Sequence, residues 1–321
     1  MKILVTGGAG FIGSNLCEAL LRDERVQLVR VLDNLSTGSI KNITPFLNNP
    51  KFEFINGDIR DMETCKKTCA DMHMVSHQAA LGSVPRSIHD PITTNAVNIT
   101  GTLNIFTAAK DAGIKQIIYA ASSSTYGDSQ SLPKVEHIIG KPLSPYAITK
   151  LVNELYADVF HHAYEMHFIG LRYFNVFGPC QNPNGAYAAV IPLFAKAVLN
   201  NEAPYINGDG EQSRDFTYVA NAVQANINAL FTTNPEAWNE VYNIACGEQC
   251  TINQLFNSLK SFTDNPGLQV IHREARPGDV RHSLANIEKA KRLLNYEPQI
   301  SLQKGLELTL NWYQLHSNYF N

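Results

Sequence analysis

The sequence predicts an α/β fold: a doubly wound, parallel sheet with helices on both faces, joined to a smaller, discontinuous α/β domain. Three observations predict it. Short apolar runs rich in β-branched residues alternate with longer amphipathic ones, a glycine-rich turn separates the first such run from the first helical pattern, and an acidic residue, Asp33, closes the second run. Alternation of this kind marks βαβ units, whose crossover helices cover a parallel sheet on both sides.

Taken in order, Ile3-Leu4-Val5 is the first predicted strand, and Val29 to Leu32, Phe52 to Ile55, Met74 to Ser76 and Gln116 to Tyr119 follow it. Between the first two, Ile12, Leu16, Ala19 and Leu20 fall at i, i+4, i+7 and i+8, one face of a helix. Asn98 to Lys110 and Tyr146 to His161 read as further helices. Past about residue 174 the rhythm changes to a Pro/Asn/Gly loop (Pro179 to Ala186), a helix from about Ile191, and Asn207-Gly208-Asp209-Gly210 between two extended runs. Val241 to Ile244 reads as a strand returning to the first sheet. The expected division is a first domain over 1–174, rejoined by about 217–246, and a second over 175–321.

Composition excludes several classes of function. With 321 residues, 44% hydrophobic and 17% charged, the chain is an ordinary globular one. Its 26 basic residues nearly balance 29 acidic ones, so no strong field draws it to nucleic acid or to an anionic membrane. Glycines interrupt the apolar start and no run approaches a membrane span, so the expectation is a cytoplasmic protein. The cysteine pairs Cys65/Cys69 and Cys246/Cys250 lack the spacing of a zinc knuckle and read as reduced structural thiols; no metal is expected.

Gly7, Gly10 and Gly13, in Thr6 to Gly13, stand where a dinucleotide fingerprint needs them, after a strand and at the mouth of a helix. The first permits the turn, the second lets backbone approach a pyrophosphate, and the third lets helix and strand pack, while the helix N-terminus favours the anion. Asp33, twenty residues after Gly13, suits the ribose hydroxyls. A carboxylate there, followed by Asn34 and not by an arginine, repels a 2′-phosphate, so NAD is expected over NADP. Asp58, with Ile59 beside it, either caps a helix or hydrogen-bonds the adenine.

Ser144-Pro145 is a helix start, and Tyr146 and Lys150, four apart, share one face of that helix. A free tyrosine has a pKa of roughly 10, and a neighbouring ammonium favours its phenolate. This makes Tyr146 a candidate base. Ser122, Ser123 and Ser124 follow a predicted strand at its carboxyl end, where a hydroxyl can relay a proton; Ser123 is the first choice.

With these motifs in place, the chain resembles the extended short-chain dehydrogenase/reductase family, and within it the nucleotide-sugar 4-epimerases. The resemblance runs from TGGAGFIGSNL through Asp33-Asn34, Gly57-Asp58-Ile59, His77 to Ala80, Tyr146/Lys150 and Leu171 to Asn175, to Arg276-Pro277-Gly278-Asp279. It implies a Rossmann-like first domain. NAD would be held there by Gly7, Gly10, Phe11, Ile12, Gly13, Asp33, Asn34, Ser36, Thr37, Gly38, Asp58, Ile59, Gln78, Ala79, Ala80, Ser122, Tyr146, Lys150, Tyr173 and Phe174. It further implies a UDP-sugar substrate: Asn175 at the diphosphate, Ala189, Val190, Tyr205, Ile206 and Asn207 around the uridine, Arg214 and Arg276 at the phosphates, and Asp279 also in contact with the substrate. Gly82, Ser83, Ser123 and Tyr146 would meet the sugar.

The implied reaction oxidises carbon 4 to a ketone and reduces it again on the opposite face after the sugar swings about its diphosphate. Related 4,6-dehydratases carry an Asp-Glu pair where this chain has Ser123-Ser124, which disfavours dehydration. Ser283 falls where glucose/galactose-restricted relatives carry a bulky tyrosine, and the run Gln181 to Pro192 looks like that of enzymes taking N-acetylated hexoses. UDP-N-acetylglucosamine is therefore the expected substrate. The alternatives are UDP-glucose/UDP-galactose epimerisation, a uronate epimerase or decarboxylase, a net dehydrogenase, and a non-catalytic NAD-binding sensor. The family likeness also implies a homodimer through the helices around 98–110 and 146–161.

Overall fold

The computed structural model describes residues 1–184, 188–263, 265, 267–274 and 280–316. Its centre is a parallel seven-stranded sheet of the Rossmann type. Six strands come in chain order, β1 (Lys2–Thr6), β2 (Leu28–Asp33), β3 (Phe52–Asn56), β4 (Met74–His77), β5 (Gln116–Ser122) and β6 (His167–Tyr173), and the seventh is Glu240–Ile244. Their spatial order is β3-β2-β1-β4-β5-β6 and then Glu240–Ile244, every pairing parallel. The winding reverses between β1 and β4. Such a reversal leaves a crevice at the carboxyl ends of the strands, because successive crossovers depart to opposite faces.

Strand alternation feeds two cores. Ile3 and Val5 join one with Leu16 and Leu20 of α1 (Phe11–Arg22) and Ala222 and Ala229 of the helix Val219–Leu230. Leu4 points the other way, to Ile105, Phe106 and Phe168. The helix Pro145–Tyr164 lies on this second face against β5 and β6.

Strand β6 was not among the predicted strands. Its sequence, His-Phe-Ile-Gly-Leu-Arg-Tyr, breaks the apolar pattern at both Gly170 and Arg172. Both residues answer to partners distant in sequence. A Cβ on Gly170 would lie 2.6 Å from the Tyr119 hydroxyl, and the buried Arg172 is neutralised by Glu154 at 2.7 Å. The predicted helix over 98–110 opens with a π-type turn, Ala96–Gly101, before regular winding over Thr102–Asp111.

The smaller part is built from Val190–Leu199, Ile252–Lys260 and Leu302–Leu315 with short strands between them. The extended runs flanking Asn207 to Gly210 do not pair with each other. Tyr205–Asn207 pairs in parallel with Ile271–Arg273, and Ser213–Arg214 pairs antiparallel with Cys250–Thr251. Among the described residues, no helix is long and apolar enough to cross a membrane.

Candidate active site

The crevice at the strand ends is a cleft of about 480 Å3, and the glycine turn forms its floor. Gly7 has φ +70, and a Cβ there would stand 2.7 Å from the Ala79 nitrogen. A Cβ on Gly13 would come within 2.8 Å of the Gly8 Cα and overlap the Gly7 carbonyl. Gly10 differs: a Cβ would meet only the Gly7 oxygen, at 3.1 Å, and otherwise point into open space. Gly10 is also the N-cap of α1 and offers no side chain to the first-turn amides, so Phe11, Ile12 and Gly13 present theirs to the cleft. This is a cradle for an anion, with the helix dipole behind it.

Asp33 ends β2 with its carboxyl buried, accepting hydrogen bonds from the Ala9 N–H at 3.0 Å and the Leu35 N–H at 2.8 Å. Burial pushes this carboxyl above the usual range, and the backbone donors oppose the shift. Asn34, Ser36 and Thr37 line the cleft beside it. Gly38 does not; it packs behind the turn, where a Cβ would lie 2.8 Å from the Ala9 carbonyl carbon. Among the described residues lining the cleft the only cation is Lys150. An anion cradle, an acidic residue at the β2 end and no second cation suit a dinucleotide without a 2′-phosphate, so the residues fit NAD.

Asp58 and Ile59 line the same cleft. Of the two roles left open for Asp58, the helix cap belongs to Asp61, which accepts from the Glu63 and Thr64 amides ahead of Met62–Cys69. Asp58 instead pairs with Arg60 at 2.7 Å and accepts from Asn34 Nδ2 at 2.9 Å; the Arg60 bond is the main reason its carboxyl is held down to about 2. Gln78, Ala79 and Ala80 form the opposite wall. The Tyr173 hydroxyl donates to Gln78 Oε1 at 3.0 Å and accepts from Asn226 Nδ2 at 2.7 Å. Phe174 does not reach the cofactor cleft. It is fully buried against Tyr126, with ring centroids 5.9 Å apart, because the residue after Tyr173 faces the other side of the strand end.

Tyr146, Lys150, Ser122 and Ser123 stand on the wall of this cleft. Ser144 caps the helix by accepting from the Ala147 N–H at 3.1 Å, and Pro145 pre-sets its first turn. Lys150 Nζ donates to the Ala120 carbonyl at 2.7 Å. Burial pulls the ammonium down to about 8, and the carboxylate of Glu154, one turn further along the same face, opposes that shift. Beneath the cleft, His77 bridges the Thr6 and Thr102 hydroxyls at 2.7 and 2.9 Å, and burial pushes it down to about 3, so it is neutral.

One expectation is refined here. Burial raises the Tyr146 phenol and a hydrogen bond with Ser122 opposes the rise, while Lys150 Nζ stands 6.0 Å from the Tyr146 ring centroid. The hydroxyl against Tyr146 is thus that of Ser122, not Ser123. Ser124 Oγ donates to Ser122 Oγ at 2.9 Å, and Ser123 lines the same cleft.

A second cavity, of about 290 Å3, adjoins the first and shares Asn175 and Val176 with it. Ala189, Val190, Tyr205, Ile206, Asn207 and Arg214 line it. So do Phe177, Ile191, Phe194, Gln212, Phe216 and Ile252, which the sequence reading missed although Phe177 and Phe216 each stand two residues from a candidate. Gly82 lines the first cleft, while the Ser83 hydroxyl caps a short helix by accepting from the Arg86 N–H at 3.2 Å. Ser283 lines neither cavity; its N–H donates to the Ser213 carbonyl at 3.1 Å, next to Arg214. Arg276 and Asp279, and Gly185 to Tyr187 of the Gln181 to Pro192 run, lie outside the described residues. Cys65 and Cys69 are buried, which pushes both thiols up to about 12.

Comparison with known proteins gives concordant results. The family model described as the NAD dependent epimerase/dehydratase family matches residues 3–245. A "putative UDP-glucose 4-epimerase" of Methanocaldococcus jannaschii is 39% identical over 97% of both chains. Among solved structures, a UDP-N-acetylglucosamine 4-epimerase from Methanobrevibacter ruminantium M1, in complex with UDP-N-acetylmuramic acid, matches with a TM-score of 0.91 and 40% identity over 98% of both chains. A UDP-glucose 4-epimerase of Thermotoga maritima, with UDP-glucose, matches with a TM-score of 0.91 and 37% identity, covering 98% of this chain and 99% of that one.

Proposed function

The chain belongs to the NAD-dependent epimerase/dehydratase family and is an enzyme of its epimerase class; we propose that it inverts carbon 4 of a UDP-linked hexose, with UDP-N-acetylglucosamine and UDP-N-acetylgalactosamine the preferred pair. The observation that carries the reading is the shared wall. Asn175 and Val176 belong both to the cleft holding Tyr146 and Lys150 and to the second cavity, so one ligand can anchor its nucleotide in the second while its sugar reaches the first.

Gly7, Gly10, the first-turn amides of α1 and Asp33 would hold the cofactor. When bound, oxidised NAD would supply the hydride acceptor and donor that carbon 4 needs. The Lys150 ammonium and the Ser122 hydrogen bond counter the burial that keeps the Tyr146 phenol protonated. Tyr146 Oη then takes the proton from the 4-hydroxyl as the ketone forms, and Ser122 Oγ orients that proton. Asn175 and Arg214 hold the diphosphate while the keto sugar turns, and Tyr146 returns the proton once the other face is presented.

The preference for an N-acetylated sugar is supported by likeness to the Methanobrevibacter ruminantium enzyme; Ser283, which borders neither cavity, does not add to it. A homodimer is proposed from exposed apolar residues on one side of the molecule. Ile148, Leu155 and Val159 share a face of Pro145–Tyr164, and Ile88 and Ile92 lie on the short helices packed beside it.

The test is proton NMR of the anomeric signals after mixing the purified protein, without added NAD, with UDP-N-acetylglucosamine or UDP-glucose. Conversion of the N-acetylated sugar to its galacto epimer supports the reading. Conversion of UDP-glucose alone would keep the mechanism and overturn the substrate preference. No conversion of either, with NAD present in the protein, would reject it in favour of a uronate enzyme or a sensor.

A further inference from the structure

Asp215 is fully buried and lines neither cavity, yet both its carboxylate oxygens are committed. Oδ1 accepts from the Cys246 N–H at 3.0 Å; Oδ2 accepts from the Gly247 N–H at 3.0 Å and the Ala285 N–H at 3.2 Å. These donors come from two stretches far apart in sequence, the loop leaving the sheet after Glu240–Ile244 and the segment following Ser283. Burial pushes the carboxyl up to about 6 even though backbone donors pull it the other way. A buried carboxyl with its oxygens saturated by main-chain N–H groups fixes those groups in place, since any one that moves away is left unsatisfied in the interior.

The backbone of Asp215 is tied to the substrate side. Its carbonyl accepts from Asn175 Nδ2 at 2.9 Å, and the Thr217 N–H returns to the Asn175 carbonyl at 3.3 Å. Val176–Phe177 then pairs in parallel with Thr217–Tyr218. Asn175 itself has φ +36, a left-handed conformation that needs support from its surroundings. On either side of Asp215, Arg214 and Phe216 line the second cavity. Arg214 Nη1 donates to the carbonyls of Ser213 and Arg281, at 2.9 and 3.3 Å.

We propose that Asp215 is a positioning residue for nucleotide-diphosphate binding: by gathering main-chain amides from the 246–247 loop and from Ala285 onto one carboxylate, it sets the mutual placement of Asn175 and Arg214. The proposal rests on the reading that the second cavity takes the UDP end of the substrate. Its contribution is to ground-state binding, because none of the hydrogen bonds it makes involves Tyr146, Lys150 or Ser122.

The substitution that tests it is Asp215→Asn, which keeps the shape and turns an amide NH2 toward backbone donors. UDP alone is titrated calorimetrically into NAD-loaded wild type and variant, and bound NAD and steady-state kinetics are measured on the same preparations. The expected result is a UDP Kd at least tenfold higher, KM raised in parallel, kcat within about threefold of wild type, and NAD content unchanged. UDP affinity equal to wild type overturns the proposal, as does a loss confined to kcat. If Asp215→Asn does not fold, Ala285→Pro decides. It deletes one donor to the carboxylate, and the backbone bonds joining this segment to Lys134 run through Leu284 and Asn286, not through the Ala285 N–H. A several-fold weaker UDP affinity with NAD retained supports the proposal, and unchanged affinity overturns it. Because the probe is UDP, a wild type that binds UDP but epimerises no UDP-hexose refutes the substrate reading and leaves this inference standing. A wild type that does not bind UDP refutes both.

Discussion

The three glycines of the turn make separable demands, and two alanine substitutions test them. At Gly13 the added methyl would sit within 2.8 Å of two backbone atoms, the Gly7 carbonyl carbon and the Gly8 Cα, and closer still to the Gly7 oxygen. Backbone on that side cannot rotate away as a side chain would. Overpacking of this kind costs about 3 kcal/mol, near the top of the usual range. Alanine recovers about 1 kcal/mol of helix propensity inside α1. The net loss of about 2 kcal/mol lowers the melting temperature of the cofactor-free protein by roughly 3 °C. At Gly10 the methyl would touch only the Gly7 oxygen, at 3.1 Å, and φ −77 with ψ 178 is open to alanine. The fold should therefore not suffer, and a stiffer unfolded chain adds about 0.5 kcal/mol in its favour. The methyl projects instead into the anion cradle. Displacing one or two charge-assisted backbone bonds to a pyrophosphate costs about 3 kcal/mol, roughly a hundredfold in affinity. The assay is thermal melting of cofactor-stripped protein alongside NAD content of protein as purified. Gly10→Ala should melt like wild type and carry little NAD, and Gly13→Ala should melt lower. A Gly10→Ala protein that retains its full NAD would refute the placement of the pyrophosphate on this turn. An unshifted melt for Gly13→Ala would refute the packing argument.

Three further outcomes follow from the geometry. Tyr146→Phe should abolish epimerisation by at least about a thousandfold while leaving NAD content and UDP affinity intact, and Ser122→Ala should cost about a hundredfold against a few-fold for Ser123→Ala; equal effects at the two serines would reject the assignment of the relay to Ser122. Lys150 is charged below about 8 and neutral above, so kcat/KM should fall on an alkaline limb near that pH. Glu154→Gln should move the limb to lower pH, because the lost carboxylate favoured the ammonium and the stranded Arg172 charge disfavours it; a limb that stays put would show that Glu154 does not act on Lys150. Leu155→Glu, at a position 58% exposed in the monomer, should shift the protein to a monomer in light scattering, and an unchanged mass would rule this face out as the dimer contact.

What the sequence disclosed, and what it withheld, divides along the reach of the interactions involved. The early strands and α1 were legible because periodicity and glycine chemistry are local: Ile3 and Val5 on one face and Leu4 on the other need no knowledge of distant residues. Strand β6 was illegible because Arg172 is tolerable only with Glu154 beside it, eighteen residues earlier in the chain and on a helix. The short strands of the smaller part were visible as extended runs, but their partners, such as Ile271–Arg273 for Tyr205–Asn207, were not. Within the cleft, spacing put Tyr146 and Lys150 on one face, yet spacing carries no burial. The rise in the phenol and the fall in the ammonium are both desolvation effects that appear only once β5 and β6 close over the helix. A row of three serines likewise does not reveal which hydroxyl reaches the Tyr146 phenol; the hydrogen bond Tyr146 makes with Ser122 does.

The position of Asn175 links the two halves of the proposed chemistry. It follows Tyr173 and Phe174 at the end of β6, the point where the chain leaves the sheet for the second cavity. Tyr173 faces the cofactor cleft through its bonds to Gln78 and Asn226, Phe174 is buried in the core, and Asn175 turns with φ +36 to border both cavities. Three successive residues thus hold the cleft wall, the core and the bridge between the sites. An epimerase of the proposed kind must release the sugar ring enough to turn while keeping its diphosphate fixed. That separation requires the anchor to stand apart from Tyr146 yet be braced against the same sheet, and the bonds from Asn175 to Asp215 and Thr217 supply the brace. Weakening it should loosen the nucleotide before it disturbs proton transfer, so binding and catalysis are separable by mutation at this one junction.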